Sequence, residues 1–346
     1  MKVVVLAGGY SPERDVSLSS GCMISNALAE KGHAVVLVDA FLGIKEPAAG
    51  LVSLFKKNPD YVPCQYPIPT VPPDLEKMWA ERKPDTGMFF GENVLEICRM
   101  ADAVFLGLHG NAGENGQIQA AFDLLNIHYS GSSFPGCVLA MDKNLTKQIL
   151  YANGLPTSPW VHIQDVHRPN FEKISKIGLP CVIKPVNGGS SIGVSIATTI
   201  DELKEGIQKA ANCDKEIIIE KYLDGREFCV GILDQKALPV IEIIPKDGWF
   251  DYEKKYQPGL TAEICPADIS EKLSDAMQQA AIKIHNVLKL GFYSRIDFKT
   301  DSSGDFYCLE ANTLPGMTPN SLLPKEAAAD HILYADLCNH IINHCN

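Results

Sequence analysis

The sequence has no long apolar run. Its longest apolar stretches, such as Lys2–Ala7 and Ala34–Val38, are strand-sized, far below the roughly 20 residues that a membrane helix needs. It also lacks an excess of positive charge: 31 Lys plus Arg stand against 42 Asp plus Glu, a formal net charge of −11. Neither nucleic acid nor an anionic membrane is therefore expected as a partner, and any phosphate ligand needs a local cluster of cations. Although 11 Cys are present, none forms a C-x-x-C pair, and Cys181, Cys229 and Cys308 lie in apolar runs. This reads as reduced thiols in a cytoplasmic protein rather than a zinc or disulfide framework. The N-terminus enters a strand directly, with no signal-peptide pattern. A complete G-x-G-x-x-G is missing, which argues against an NAD site, and no G-x-x-x-x-G-K-[ST] P-loop occurs. Internal repeats and low-complexity segments are absent too.

What remains is 346 residues of ordinary globular composition, 46% hydrophobic and 21% charged, enough for two or three domains. Lys2–Ala7 reads as a strand ending at Gly8-Gly9. An amphipathic helix through Val16, Met23, Ile24, Ala27 and Leu28 follows, then a second strand at Ala34–Val38. That βαβ order predicts a parallel sheet covered by helices. Eight prolines between 41 and 91 predict an irregular excursion with about one short helix. Regularity resumes with a helix at Glu92–Arg99 and a strand at Ala103–Leu108. Further on, one helix is expected over Pro135–Ala152. Strands are expected at Cys181–Lys184 and Val194–Ala197 around a Gly/Ser loop, and at Glu216–Glu220, Glu227–Leu233 and Leu238–Ile244. A long loop covers 245–266, a helix Ser270–Leu290, two strands Phe292–Lys299 and Asp305–Glu310, and a last helix His331–Asn343. Domain boundaries fall near 130 and 223, giving segments 1–130, 131–223 and 224–346.

The most informative segment runs from Arg295-Ile296-Asp297 to Glu310-Ala311-Asn312. Side chains alternate along a strand, so Arg295 and Asp297 share one face, as do Glu310 and Asn312. If the chain reverses about Ser303-Gly304, Asp297 falls opposite Glu310 and Arg295 opposite Asn312. Like charges across a strand pair destabilise it, and a bound cation removes the penalty. Two carboxylates and an amide oxygen suit Mg²⁺, with phosphate oxygens completing the shell. A pair of solvated acids on an idle hairpin is the alternative, with Ile296, Phe298, Leu309 and Ala311 forming the apolar face. The Gly/Ser loop Asn187–Gly193, between strands and near Lys184 and Lys143, is suited to phosphates. Glu220 and Glu227 could meet an adenine amino group and ribose hydroxyls, or simply be solvated acids. His109, at a strand end before a Gly-rich loop, is the one histidine placed for a site.

Several ordered motifs resemble the D-alanine–D-alanine ligase family. They are Gly8-Gly9…Glu13-Arg14-Asp15-Val16-Ser17, His109-Gly110…Gly113-Glu114-Asn115-Gly116, Met141-Asp142-Lys143, Lys184-Pro185…Gly189-Ser190-Ser191-Ile192-Gly193 and Glu220-Lys221. Asp251-Tyr252-Glu253…Lys255-Tyr256, Arg295-Ile296-Asp297 and Leu309-Glu310-Ala311-Asn312-Thr313-Leu314-Pro315-Gly316-Met317-Thr318 complete the series. The resemblance implies an α/β ATP-grasp fold of three domains: an N-terminal parallel α/β sheet domain, a central domain and a C-terminal α+β domain. It implies ATP-dependent joining of two D-alanines through an acyl phosphate, for peptidoglycan precursors. Asp297, Glu310 and Asn312 would hold two Mg²⁺, for which Mn²⁺ can substitute. Lys143 and Lys184 would contact phosphates, with Ser190, Ser191 and Lys255 around them. Glu220, Lys221, Leu223 and Glu227 would hold adenine and ribose. Glu13 would take the first D-alanine's ammonium group, near His109. Arg295, Ser321 and Leu322 would take the second D-alanine's carboxylate, and Arg295 with the Gly316 amide would stabilise the oxyanion. Tyr256 would lie on a loop that closes over the site, networked with Glu13 and Ser190, and a homodimer is implied. D-Lactate-using relatives typically carry His on that loop, so Tyr256 fits the D-alanine-using type. Asn115 departs from the more usual Asp. A D-alanine–D-serine ligase, or a non-catalytic nucleotide-binding protein on the same scaffold, are the alternatives.

Overall fold

The computed structural model describes residues 1–57, 60–69, 71, 73–82, 89–189, 191–246 and 261–345. Strand β1 (Lys2–Ala7), buried from Val3 onward, pairs in parallel with β2 (Ala34–Asp39) and β3 (Ala103–Leu106), with Val3 opposite both Val35 and Ala103. Helix α1 (Arg14–Glu30) crosses between β1 and β2, as the βαβ pattern predicts. It lies close on the sheet at Gly21, where a Cβ would come 2.6 Å from that of Ala7. Among its described residues the proline-rich excursion contains a 3₁₀ turn, Ala48–Leu54, and a short helix, α2 (Leu75–Glu81), capped by Asp74. Asn26 of α1 pins it, donating to the Cys64 carbonyl at 2.9 Å and accepting the Cys64 N–H at 3.0 Å. Helix α3 (Val94–Met100) leads into β3, and α4 (Asn111–Glu114) and α5 (Gln117–Leu125) follow.

The expected helix over Pro135–Ala152 is two helices, α6 (Phe134–Met141) and α7 (Lys143–Ala152). Asp142 breaks it: extended at ψ 102°, it caps α7 by accepting the Leu145 N–H at 2.8 Å. Such a cap satisfies an orphan donor of the first turn, and it turns Lys143 out towards the Gly/Ser loop. The central four-stranded antiparallel sheet has the order β4-β7-β5-β6. Its members are β4 (Trp160–Ile163), β5 (Cys181–Pro185), β6 (Ser195–Ala197) and β7 (Ile217–Lys221). Helices α8 (Phe171–Ser175) and α9 (Ile200–Ala211) accompany it, and Thr199 with Glu202 builds a reciprocal capping box on α9.

The third sheet runs β11-β10-β8-β12-β13, with the short β9 (Lys236–Ala237) on β8. These are β8 (Glu227–Leu233), β10 (Ile241–Pro245), β11 (Thr261–Ile264), β12 (Tyr293–Thr300) and β13 (Phe306–Asn312). Thr261–Ile264, assigned to a loop from the sequence, pairs with β10 instead; its residues alternate between partly and fully exposed, as on an edge strand. Helix α10 (Glu271–Val287) buries Met277, Ala280, Ala281 and Ile284 against this sheet. Helices α11 (Leu322–Ala329) and α12 (Tyr334–Ile342) close the chain. Leu337, Cys338, Ile341 and Ile342 of α12 return to the first sheet's core. Among the described residues, no helix is long and apolar enough to cross a membrane.

Candidate active site

The β12–β13 hairpin carries the expected pairs, Asp297 opposite Glu310 and Arg295 opposite Asn312. Two departures from the expected ladder cancel to produce them. The first is the turn, a three-residue loop in which the Gly304 N–H donates to the Asp301 carbonyl and Gly304 takes φ 85°. A two-residue turn would set Thr300 against Tyr307, whereas the observed loop sets it against Phe306. The second is a β-bulge between Asp297 and Phe298, which absorbs one extra residue, Leu309, and restores the expected register at the acids. Leu309 is consequently not on the apolar face: it lines the cleft, and Cys308 takes its place in the core.

Asp297 is held within the hairpin. Arg295 donates to it through Nε at 2.7 Å and Nη2 at 2.8 Å, and the Asn312 amide donates at 3.1 Å. Burial works against the Arg295 charge, but Asp297 outweighs it and holds the guanidinium firmly protonated. Arg295 is thus the cation that offsets Asp297 in this state. Among the described residues no three His, Cys, Asp or Glu form a cage for a metal ion. Asp297, Glu310 and Asn312 offer two carboxylates and an amide, a hard donor set that fits Mg²⁺ when another molecule supplies further oxygens.

A cleft between the central and third sheets joins this hairpin to the lysines. Lys143, Lys184 and Ser191 line it together with Asp297 and Glu310. Glu220, Lys221, Leu223 and Glu227 line it too, so nine of the nineteen residues singled out from the sequence meet in this cleft. Lys143 Nζ donates to the Gly188 carbonyl of the Gly/Ser loop. Glu220 is buried and does not present a free carboxylate. It pairs with Lys184, with Lys147 at 2.7 Å, and accepts the Ser158 hydroxyl at 3.0 Å. Burial alone would raise its pKa, but the two lysines hold the carboxyl below the usual carboxylate range. Burial opposes the Lys184 charge as well, and Glu220 overcomes it, so the ammonium pKa is raised. Glu227 pairs with Lys299 at 3.3 Å.

The N-terminal loops cover the other end. Glu13 is buried, and a Cβ at Gly110 would stand 2.7 Å from its Oε2, with φ 67° also favouring glycine there. Burial lowers the His109 imidazole pKa, against the pull of the Glu13 carboxylate, and His109 Nε2 is buried with no hydrogen-bond partner among the described residues. Glu114 accepts the Gly110 N–H. Its carboxyl is pushed up to about 8, first by burial and then by the Glu13 charge, with Glu310 and Arg295 also within electrostatic reach. Beyond the hairpin, Ser321 holds the N-cap position of α11 and its Oγ accepts the Thr318 N–H at 3.1 Å. A Cβ at Gly316 would lie 3.0 Å from that Oγ, and Leu322 is buried.

Ser190, Lys255 and Tyr256 lie outside the described residues. Sequence reasoning missed Lys147, Lys299 and Glu114. Lys147 stands four residues after Lys143 on α7, one helical turn along, and Lys299 continues the two-residue alternation of Arg295 and Asp297; both spacings are readable.

The fold and the cleft together define an ATP-grasp protein. Family models for the D-ala D-ala ligase N-terminus and C-terminus match residues 2–132 and 149–343. The chain belongs to the D-alanine–D-alanine ligase family. It is 42% identical to the D-alanine–D-alanine ligase of Pediococcus pentosaceus, covering 99% of this chain and 97% of that protein. It is 35% identical to that of Aquifex aeolicus, covering 99% and 100%. The crystal structure of the Bacillus anthracis D-alanine–D-alanine ligase complexed with ATP superposes with a TM-score of 0.74 at 31% identity, covering 99% of this chain and 96% of that one.

Proposed function

We propose that the protein joins two D-alanines at the expense of ATP, giving D-alanyl-D-alanine, ADP and phosphate for peptidoglycan precursors. The observation that carries this reading is the single cleft where Lys143, Lys184, Asp297 and Glu310 converge, in a chain of this family. ATP lies in the cleft, its phosphates near Lys143, Lys184 and Ser191 and its purine and ribose near Lys221, Leu223 and Glu227. Asp297, Glu310 and Asn312 would hold Mg²⁺, which neutralises phosphate charge. Glu220 acts mainly through the lysines it orients.

A carboxylate oxygen of the first D-alanine attacks the γ-phosphorus, the bond to the β-phosphate oxygen breaks, and ADP leaves. Glu13 holds that substrate's ammonium group, with His109 beside it. The second D-alanine is bound through its carboxylate by Arg295 and the Ser321–Leu322 end of α11. Its neutral amine attacks the acyl carbon, phosphate departs with the transferred oxygen, and the amine loses its extra proton. Arg295 and the Gly316 amide stabilise the oxyanion, a contribution of about 3–4 kcal/mol per donor in comparable sites. Ser190, Lys255 and Tyr256 complete this reading as the cover that excludes water. A cytoplasmic location, with neither nucleic acid nor membrane as partner, completes the proposal, supported by the net charge of −11 and by cysteines that are all free; a homodimer is what the family resemblance implies.

ADP release measured with D-alanine, L-alanine, D-serine and D-lactate in turn tests the reading. Rapid release with D-alanine alone is expected; equal rates with D-alanine plus D-serine would favour the mixed ligase, and no release with any of them would reject ligation.

A further inference from the structure

Glu326, on α11, is fully buried and belongs to none of the steps above. Its Oε1 accepts the Gly231 N–H at 2.7 Å, while Oε2 has no hydrogen-bond partner among the described residues. Gly231 is the residue of β8 directly opposite Arg295 of β12. Paired residues on neighbouring strands project from the same face, about 4.5–5.5 Å apart at Cβ. A Cβ at Gly231 would meet Glu326 Oε2 at 2.9 Å and Leu323 at 2.5 Å. The missing side chain therefore leaves room for α11, and the carboxyl group of Glu326 fills it beside the Arg295 stem.

We propose that Glu326 is a positioning residue for the acceptor clamp, holding β8 and α11 so that Arg295 and the Ser321–Leu322 helix end face the second substrate's carboxylate together. The inference rests on the ligase reading. Two separate elements must meet one carboxylate, and Glu326 is the polar link between the strand beside Arg295 and the helix that starts at Leu322. Burial pushes its carboxyl up to about 8, so the acid form dominates near neutrality and glutamine is its nearest mimic. Removing the acceptor of a buried N–H leaves that donor unsatisfied.

Steady-state kinetics of the full chain tests this, varying D-alanine at saturating Mg·ATP to separate the two D-alanine constants and varying Mg·ATP at saturating D-alanine to read the ATP constant. Glu326→Met, which keeps the volume but cannot accept the Gly231 N–H, is expected to raise the second D-alanine KM about tenfold, leaving the ATP and first D-alanine constants within about twofold. Glu326→Gln should recover most of that loss. An unchanged acceptor KM in Glu326→Met, or a parallel change in all constants, overturns the inference. Should that variant not fold, Glu326→Asp replaces it: the carboxyl is withdrawn by one methylene, and an acceptor KM equal to that of the parent would overturn the proposal. Turnover of the unaltered chain with D-alanine is measured first, so failure of the ligase reading is seen separately.

Discussion

The two ends of the cleft handle buried charge differently. At the Lys184 end each acid meets a base: Glu220 has Lys184 and Lys147, and Glu227 has Lys299. At the Glu13 end, acids gather near one another, and Glu114 responds by holding its proton up to about pH 8. His109 adds a buried nitrogen with no hydrogen-bond partner among the described residues. At one end the buried Glu220 is neutralised by lysines; at the other, burial and the neighbouring Glu13 charge raise the Glu114 pKa. The proposed function would place the nucleotide at the first end and the amino acid at the second.

Breaking the comparison at its junction should have the largest effect. Glu310→Gln is expected to lower turnover by at least about a thousandfold while the melting temperature stays close to that of the parent, comparable to losing a strong transition-state stabiliser; turnover within about tenfold of the parent rejects the metal-site reading. Next comes the Lys184 end. Glu220→Ala strands the buried Lys147 and the partly buried Lys184 and should cost about 3–5 kcal/mol of stability, read by denaturant unfolding. A loss under about 1 kcal/mol, no more than an exposed pair gives, would mean the pairs are not closed as described.

At the Glu13 end the sign is opposite. Glu114 binds its proton more tightly in the folded protein than in the unfolded chain, so stability falls as pH rises from about 4.5 to about 8. Above both values the penalty is complete. Glu326 titrates in the same window, so Glu114→Gln should reduce this slope without removing it, as measured by chemical denaturation at several pH values; an unchanged slope contradicts the assignment. The smallest effect is expected at Tyr66, whose hydroxyl donates to Asp15 at 2.6 Å from within the proline-rich excursion. Tyr66→Phe should cost about 1–2 kcal/mol, and a neutral result would show that the excursion does not brace α1 there.

Much of this architecture is legible in the chain. The strand at Lys2–Ala7 is packed with Val and Leu and stopped by Gly8-Gly9, so its period and limits are plain. The acids at 297 and 310 fall opposite each other in both readings, though the sequence suggests a two-residue turn and an unbroken ladder where the hairpin uses a three-residue loop and a bulge. The bulge leaves no mark in residue type, because Leu309 is as apolar as any core position, whereas the three-residue loop does leave one in Gly304, although Ser303-Gly304 also suits a two-residue turn. The break at Asp142 is readable as an N-cap but hidden inside a continuous apolar period. The pairing of Glu220 is invisible locally because Lys147 arrives from another element, and contacts across a fold leave no trace in local spacing.

The central proposal is that Asp297, Glu310 and Asn312 would hold a divalent cation against nucleotide. Mn²⁺ titration monitored by electron paramagnetic resonance, with and without ADP, tests it directly. Nucleotide-dependent binding that is lost in Glu310→Gln is the expected result. Equal Mn²⁺ uptake by the parent and by that variant, in the presence of ADP, would contradict the account.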